Sequence, residues 1–303
     1  MTLRKVLIAI CAGLASATAA VAFLSKSFIA LGFVYLASLP ILMVGLAYGM
    51  TSAILAAVVG ALISGISGFP VMAGAFTIIY GLPALIIIRL QMMQHTVSAG
   101  NTLSIITMLT SGMVVTVAFF TWDIGLSKLI TNHLEQVLKQ LTPDFNTVGR
   151  SQLAQAMTPL FPGVVAINWI VMTVINTVFA QYILVRIGYN QHPTPAYVNL
   201  ELPFWSSWPL VSAAALALAG TGEWEYIGRN LAMLFAVPYF FLGLSVFHYL
   251  ARRVTATKAV LITLYLVIVI SMWAALVVAA IGVVEQWFGL RDRFSSKSLT
   301  KDP

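Results

Sequence analysis

The chain alternates long apolar runs with short polar stretches. Most runs approach the ~20 residues that cross ~30 Å of hydrocarbon, and none shows the ~10-residue alternation of a membrane barrel. The pattern therefore predicts an all-α, polytopic transmembrane bundle of eight or nine helices. The predicted helices lie near residues 6–24, 28–48, 52–67, 71–88, 102–122, 162–186, 206–220, 229–251 and 257–285.

Several of these helices are irregular. Segments 52–67 and 206–220 rise only roughly 22–24 Å, which is short for a full crossing. Pro40, Pro83 and Pro238 lie inside three other segments, where each removes a backbone donor and favours a kink. Short or broken helices line cavities at the membrane midplane of transporters. The alternative is that proline is simply common in membrane helices.

The longest polar segment covers residues 123–160 and predicts an amphipathic extramembrane helix. Apolar residues recur at three- and four-residue steps between Leu126 and Leu141, with charged and amide side chains on the other face. A second short helix, capped by Ser151 and stopped before Pro159, is expected to follow. The segment is predicted to lie on the membrane surface, with covering the bundle or receiving a partner as alternatives.

Composition excludes a soluble domain. Sixty per cent of the 303 residues are hydrophobic and 8% are charged, against ~25% charged residues in soluble domains. The net charge of +7 does not indicate nucleic-acid binding, because the 16 Lys and Arg residues are scattered in ones and twos. We therefore treat residues 1–303 as a single integral membrane domain that contacts the lipid bilayer and ends in a polar tail, 291–303.

The basic residues also predict orientation. Arg4 and Lys5 favour a cytoplasmic N-terminus in a bacterial inner membrane. Nine crossings would place Arg291 and the rest of the basic tail outside, whereas eight would keep them inside, so both counts stay open. The N-terminus resembles a secretory signal, but its apolar run continues through Leu24, and we expect the first helix to be retained.

No catalytic signature is present in the sequence. Paired-histidine metal spacing, a nucleophile elbow, a phosphate loop and a dinucleotide fingerprint are all missing. We therefore expect no enzymatic activity, no metal and no cofactor. The single cysteine, Cys11, excludes a disulfide within the chain.

Amide side chains at membrane depth are the sharper signal. Asn168 and Asn176 lie on the helix predicted over 162–186, and amides in hydrocarbon are costly unless they are paired. One interpretation is interhelical hydrogen bonding, worth ~0.6–2 kcal/mol per bond. The other is a polar cavity that holds a solute, and for it we expect Asn168, Asn176, Tyr80 and His248 to contribute.

Four segments together resemble a known family. They are Leu39–Gly49, Leu202–Trp205, Gly243–Tyr249 and Gly282–Phe288, the last followed by Leu290 and Arg291. In this order they resemble the YybS-like bacterial membrane proteins of the DUF2232 type, a family of unknown function. Glu285 stands where that pattern leads us to expect Asp.

The resemblance implies a transport role. The first half is similar to the substrate-binding membrane components of energy-coupling-factor vitamin importers, which capture a small nutrient and work with ATPase subunits. The longer second half departs from their plan. The expected function is thus small-solute binding or transport, with a solute and ATPase subunits as partners. The alternative is a non-catalytic scaffold or regulator of envelope processes that docks partners through residues 123–160. No nucleic-acid partner is expected.

Overall fold

The protein is helical throughout the residues that its computed structural model describes, which are 2–25, 27–67, 70–93, 98–141, 146–191 and 195–293. Within them, six helices are long and apolar enough to cross a membrane, and a bent helix pair near the C-terminus adds at most a seventh. Two further apolar helices, Met50–Ile66 and Phe204–Ala219, are shorter. These nine segments match the predicted ones in place, so the polytopic helical membrane fold is confirmed.

The chain forms two compact units, which we describe separately. The first comprises residues 1–98 and 169–195, and the second comprises residues 99–168 and 196–303. Helix α10 contributes residues to both. The hydropathy pattern contains no sign of this division.

Small residues set the packing of the first unit. Because a Cβ on Gly13 would lie 2.5 Å from the Ala56 carbonyl oxygen, and one on Gly60 would overlap the Phe76 ring, only glycine fits at either position. The two glycines let the first and fourth helices approach closely, as small residues do in membranes. The helices of this unit are α1 (Leu3–Val21), α2 (Phe28–Tyr35), α3 (Leu39–Tyr48), α4 (Met50–Ser67), α5 (Pro70–Phe76), α6 (Leu82–Met92) and part of α10 (Phe161–Arg186).

Pro40 begins a helix, and Pro83 follows a π-helical turn within one continuous helical span. Pro40 stands in the first turn of α3, and Pro83 in the first turn of α6, after a π-helical turn at Thr77–Gly81. The first N–H groups of a helix have no intrahelical acceptor, so proline costs little there. The kink predicted in segment 28–48 is therefore a break before Pro40, whereas segment 71–88 stays helical and carries a π-helical turn before Pro83.

Helix α12 is the centre of the second unit. It packs against α7, α11 and α14, and it continues without interruption past Pro238. A Cβ on its Gly228 would lie 2.5 Å from the Ala217 nitrogen, so α11 also packs at close range. The other helices are α7 (Ala99–Phe120), α8 (Leu126–Leu141), α9 (Thr147–Met157), α11 (Ser207–Ala219), α12 (Glu223–Ala251), α13 (Thr257–Ile270) and α14 (Met272–Phe288).

The last predicted helix, 257–285, is broken in the structure. Ser271 adopts an extended conformation between α13 and α14. The two helices are bent by 118° at this point. With neither Pro nor Gly next to Ser271, the sequence shows no signal for the break.

Helices α12 and α14 run in the same direction from their crossing point. The crossing lies at Gly243 and Gly282, where a Cβ on Gly282 would be 2.9 Å from the Gly243 nitrogen. Beyond it, one cavity is lined by Tyr249 of α12 and by Glu285 and Gly289 at the end of α14. Because residues that follow the crossing on both helices line the same cavity, their C-terminal ends point the same way. The α13–α14 pair therefore begins and ends near the same end of α12, which is the geometry of a re-entrant hairpin.

We predict that the loop at residues 252–258 and the C-terminus lie on the same side of the membrane. In a Cys11→Ser background, a cysteine replacing the exposed Thr255 and one added after residue 303 should react equally with a membrane-impermeant maleimide. Right-side-out and inverted vesicles supply the two measurements. Labelling of the two cysteines from opposite sides would show that α13–α14 is a single crossing.

We also predict that the glycines at the α12–α14 crossing are required for stability. A Cβ on Gly243 would overlap the Val278 carbonyl oxygen, so Gly243→Ala should destabilise the protein by about 1–3 kcal/mol. Gly112 of α7 has no neighbouring atom within 4 Å of its added Cβ, and Gly112→Ala is the matched control. Thermal unfolding in detergent compares them, and an equal midpoint shift for both variants would contradict the crossing geometry.

Candidate functional site

The end of α14 carries a buried ion pair. The Arg291 Nε donates to Glu285 Oε1 at 2.5 Å, and the Arg291 backbone N–H donates to Oε2 at 3.1 Å. Only 14% of the Arg291 side chain and 6% of the Glu285 side chain are exposed. Gly289 has a φ of +58° and ends the helix, so the chain can fold back and bring Arg291 to the carboxylate.

Arg291 also holds the loop that precedes α11. Its Nη1 donates to the Val198 carbonyl at 3.0 Å and its Nη2 to the Leu200 carbonyl at 2.9 Å. The neighbouring Gln286 Nε2 donates to the Leu202 carbonyl at 3.3 Å. One guanidinium thus neutralises a carboxylate and satisfies carbonyls of a loop that has no regular partner.

Hydroxyl groups extend this network to α12. The Tyr239 hydroxyl lies 3.3 Å from Ser206 Oγ and 3.2 Å from Ser207 Oγ. The Trp287 Nε1 donates to the same Ser207 Oγ at 3.2 Å. Burial raises the pKa of the nearby loop residue Tyr197 to about 12, so its phenol stays neutral at physiological pH.

A cavity of about 410 Å³ lies beside the ion pair. Its volume falls within the ~300–1,000 Å³ typical of small-molecule sites. The lining is mainly polar. It consists of Glu285, Gln286, Gly289, Arg291 and Asp292 from the end of α14, Leu242 and Tyr249 from α12, and Asn199, Glu201 and Leu202 from the loop.

Three of the four family-like segments meet at this cavity. Leu202 comes from the second segment, Tyr249 from the third, and Glu285 with Arg291 from the fourth. The sequence analysis noted these residues in separate segments but did not bring them together. The signal that could have done so lies at the end of the last apolar run. There the carboxylate of Glu285 is followed by Gly289, which can end a helix, and by the cation Arg291, six residues after Glu285.

Of the expected site residues, Asn176 bridges a helix break in the first unit. Its Nδ2 donates to the Tyr35 carbonyl at 2.6 Å and to the Met172 carbonyl at 2.9 Å, while its Oδ1 is buried without a hydrogen-bond partner. Tyr35 ends α2, so its carbonyl is one that the broken helix leaves free. This geometry matches the hydrogen-bonding interpretation of the amides.

Tyr80 is buried in the π-helical turn of the same unit, with its ring centroid 5.7 Å from that of Phe76. The adjacent Ile79 carbonyl accepts a 2.9 Å hydrogen bond from Trp169 Nε1. Short π segments are frequent at functional sites. Gln91 and Gln181 of this unit pair with each other at 2.7 Å.

Asn168 and His248 belong to the second unit. Asn168 is exposed, and the His248 Nε2 lies 2.9 Å from the Tyr265 hydroxyl of α13. The four expected residues are thus divided between the units, and none of them lines the cavity beside Glu285. A solute site made of these residues stays a prediction.

The polar segment 123–160 forms a helical hairpin of α8 and α9. Leu134 and Leu138 of α8 pack with Ala154 of α9, so protein covers much of the apolar face that was expected to rest on the membrane. Asn146 caps α9 by accepting a 2.7 Å hydrogen bond from the Gly149 N–H. The cap therefore lies five residues before the predicted Ser151.

The base of this hairpin is fixed to the first turns of α12. The Glu223 carboxylate accepts hydrogen bonds from the backbone N–H and hydroxyl of Ser127. The Tyr226 hydroxyl donates to the Thr158 carbonyl at 3.0 Å. Both ends of the hairpin are thus held at the start of α12.

We predict that removing Arg291 destabilises the protein far more than removing an exposed cation. Arg291→Ala would leave the Glu285 carboxylate buried without its cation, which costs about 3–5 kcal/mol. The control is Arg229→Ala, since Arg229 and Glu225 form an ion pair whose side chains are 47% and 38% exposed. Such pairs contribute about 0–1 kcal/mol.

Thermal unfolding in detergent measures both arginine variants. Equal shifts of the unfolding midpoint for the two variants would show that the Glu285–Arg291 ion pair does not stabilise this end of α14.

The model of a family described as predicted membrane protein (DUF2232) matches residues 16–285, which include all four segments singled out in the sequence apart from Gln286–Arg291. No curated protein and no solved structure matches the chain.

Proposed function

The chain belongs to the DUF2232 family of predicted membrane proteins, and on this premise we propose that it is a small-solute-binding or transport component. The observation that carries the proposal is the cavity of about 410 Å³ beside Glu285 and Arg291. It is large enough for a metabolite. Polar groups from three chain segments converge on it, as they do where a fold fixes the orientation of a ligand.

The ion pair supports this role because the Arg291 guanidinium already has its partners, so neighbouring polar side chains are available to contact a solute. Arg291 is occupied by Glu285 and by two loop carbonyls, so it holds the wall of the cavity. The exposed loop residues Asn199 and Glu201 also line the cavity. A polar solute would contact this loop, while the fastened end of α14 keeps the cavity open.

We propose that the N-terminus and the cavity face the cytoplasm of a bacterial cell, in the inner membrane. With eight crossings and a re-entrant α13–α14 hairpin, eleven of the 16 Lys and Arg residues are cytoplasmic, in agreement with the positive-inside rule. They are Arg4, Lys5, Arg89, Arg186, Arg252, Arg253, Lys258, Arg291, Arg293, Lys297 and Lys301. ATPase subunits, the partners of the vitamin importers, would then meet the protein on the side of the cavity.

A scaffold role is the second candidate, and the α8–α9 hairpin favours it. The hairpin extends from the start of α12, the end opposite to the cavity. In the proposed orientation it stands on the outer face of the membrane, where envelope proteins could bind it.

Filling the cavity should abolish solute binding. Asn199→Trp places a large ring on the exposed loop wall, so the variant should lose both the small molecules that co-purify with the wild type and their thermal stabilisation. Native mass spectrometry of the full chain in mild detergent identifies the bound molecules. Gln152→Trp, on the exposed surface of α9, is the matched control.

Retention of every co-purifying solute by Asn199→Trp would refute the cavity as the binding site. Recovery of an ATPase subunit with the wild type would support transport. Recovery of an envelope-synthesis or division protein, with no solute, would instead favour the scaffold.

A further inference from the structure

A second polar site lies in the α8–α9 hairpin, away from the proposed solute cavity. A solvent-open groove of about 540 Å³ separates the polar faces of the two helices. Its wall consists of Asn132, Glu135, Gln136 and Lys139 from α8, with Arg150 and Ser151 from α9. Neither the family description nor the proposed function accounts for this concentration of hydrogen-bonding groups.

Two cations of the groove are not neutralised by an ion pair. In the described part of the chain, the ion pairs are Glu225–Arg229 and Glu285–Arg291, and Lys139 and Arg150 take part in neither. The two side chains come from different helices and face one groove. They therefore concentrate positive charge at a site that water and solutes can reach.

The neutral groups of the groove favour an oxyanion with several oxygens. Asn132, Gln136 and Ser151 supply amide and hydroxyl donors, so the donors exceed what the two oxygens of a carboxylate can accept. Thr147, the first residue of α9, also lines the groove, and the first N–H groups of a helix add positive potential there. We propose that this groove binds a phosphate group.

Glu135 limits which anions can bind in the groove. Its carboxylate only accepts hydrogen bonds, and it lies in the same groove as the two cations. An anion that carries a donor of its own can satisfy this acceptor, whereas an anion without a proton is repelled by it. Monohydrogen phosphate carries a P–O–H group, and phospholipid headgroups carry a hydroxyl or ammonium beside the phosphate. Sulfate has no such donor at neutral pH.

The inferred ligand is therefore a phosphate group with an adjacent hydrogen-bond donor, either free in solution or in a lipid headgroup. The full chain in detergent is titrated with inorganic phosphate, with sulfate and with a water-soluble short-chain phosphatidylglycerol, and the Kd is measured by microscale thermophoresis. Phosphate or phosphatidylglycerol should bind at least about tenfold more tightly than sulfate. Binding of inorganic phosphate alone identifies a free ligand, and binding of the lipid alone identifies the headgroup.

Matched variants separate the groove from general charge. Lys139→Gln with Arg150→Gln should weaken binding at least about tenfold, while Lys139→Arg with Arg150→Lys should retain it. Lys128→Gln removes an exposed cation of α8 that lies outside the groove and should leave the Kd within about twofold. Thermal unfolding verifies that each variant is folded.

The results that would refute the phosphate site differ from those that would refute the solute cavity. Absence of binding by both phosphate probes, or an equal loss with Lys128→Gln, would refute a phosphate site in the groove. Glu135→Gln should bring the sulfate affinity up to that of phosphate, and unchanged selectivity would refute the requirement for a donor. The cavity variant Asn199→Trp should leave all these affinities unchanged.

Discussion

Polar groups in hydrocarbon must find their partners within the protein, and this requirement explains the position of several buried polar side chains. Each break in a helix frees carbonyls that no water can solvate. In the first unit the carbonyl that ends α2 is satisfied by Asn176, and a carbonyl of the π-helical turn is satisfied by Trp169. These polar side chains therefore satisfy carbonyls that the irregular backbone leaves without a partner, and in this way they stabilise it.

The same constraint shapes the second unit. The carbonyl of Thr158, where α9 passes into α10, accepts from the Tyr226 hydroxyl, and the loop before α11 is satisfied by Arg291. The guanidinium is anchored in turn by the buried Glu285. A single cation thus fixes the end of α14 and one wall of the candidate cavity, so the site depends on the same interactions that complete the fold.

The sequence predicts what depends on local pattern. Apolar runs located all nine membrane segments, because a hydrocarbon span requires a length that is visible in one dimension. Leu126 and its periodic successors likewise predicted α8. The start of α9 was predicted at Ser151 instead of after Asn146 because both residues are good caps, and only the packing of α9 on α8 distinguishes them.

The candidate site was not predictable in the same way. Glu285, Arg291 and Leu202 are distant in sequence, and Arg291 was assigned to a polar tail because it follows the last apolar run. The break at Ser271 has no local signal, yet it reverses the chain and brings the end of α14 to the loop. Residues that meet only through tertiary contacts of this kind show no periodicity in the sequence. For this reason the four expected site residues lie outside the cavity.

The re-entrant hairpin has a consequence for how the protein enters the membrane. Helices α13 and α14 contain 14 and 17 residues, or roughly 21 and 26 Å at ~1.5 Å per residue, so each is shorter than the ~30 Å hydrocarbon core. Their place is defined by the glycine-lined face of α12. Because α13 and α14 both pack on α12, the last two helices can take up their places only once α12 is present.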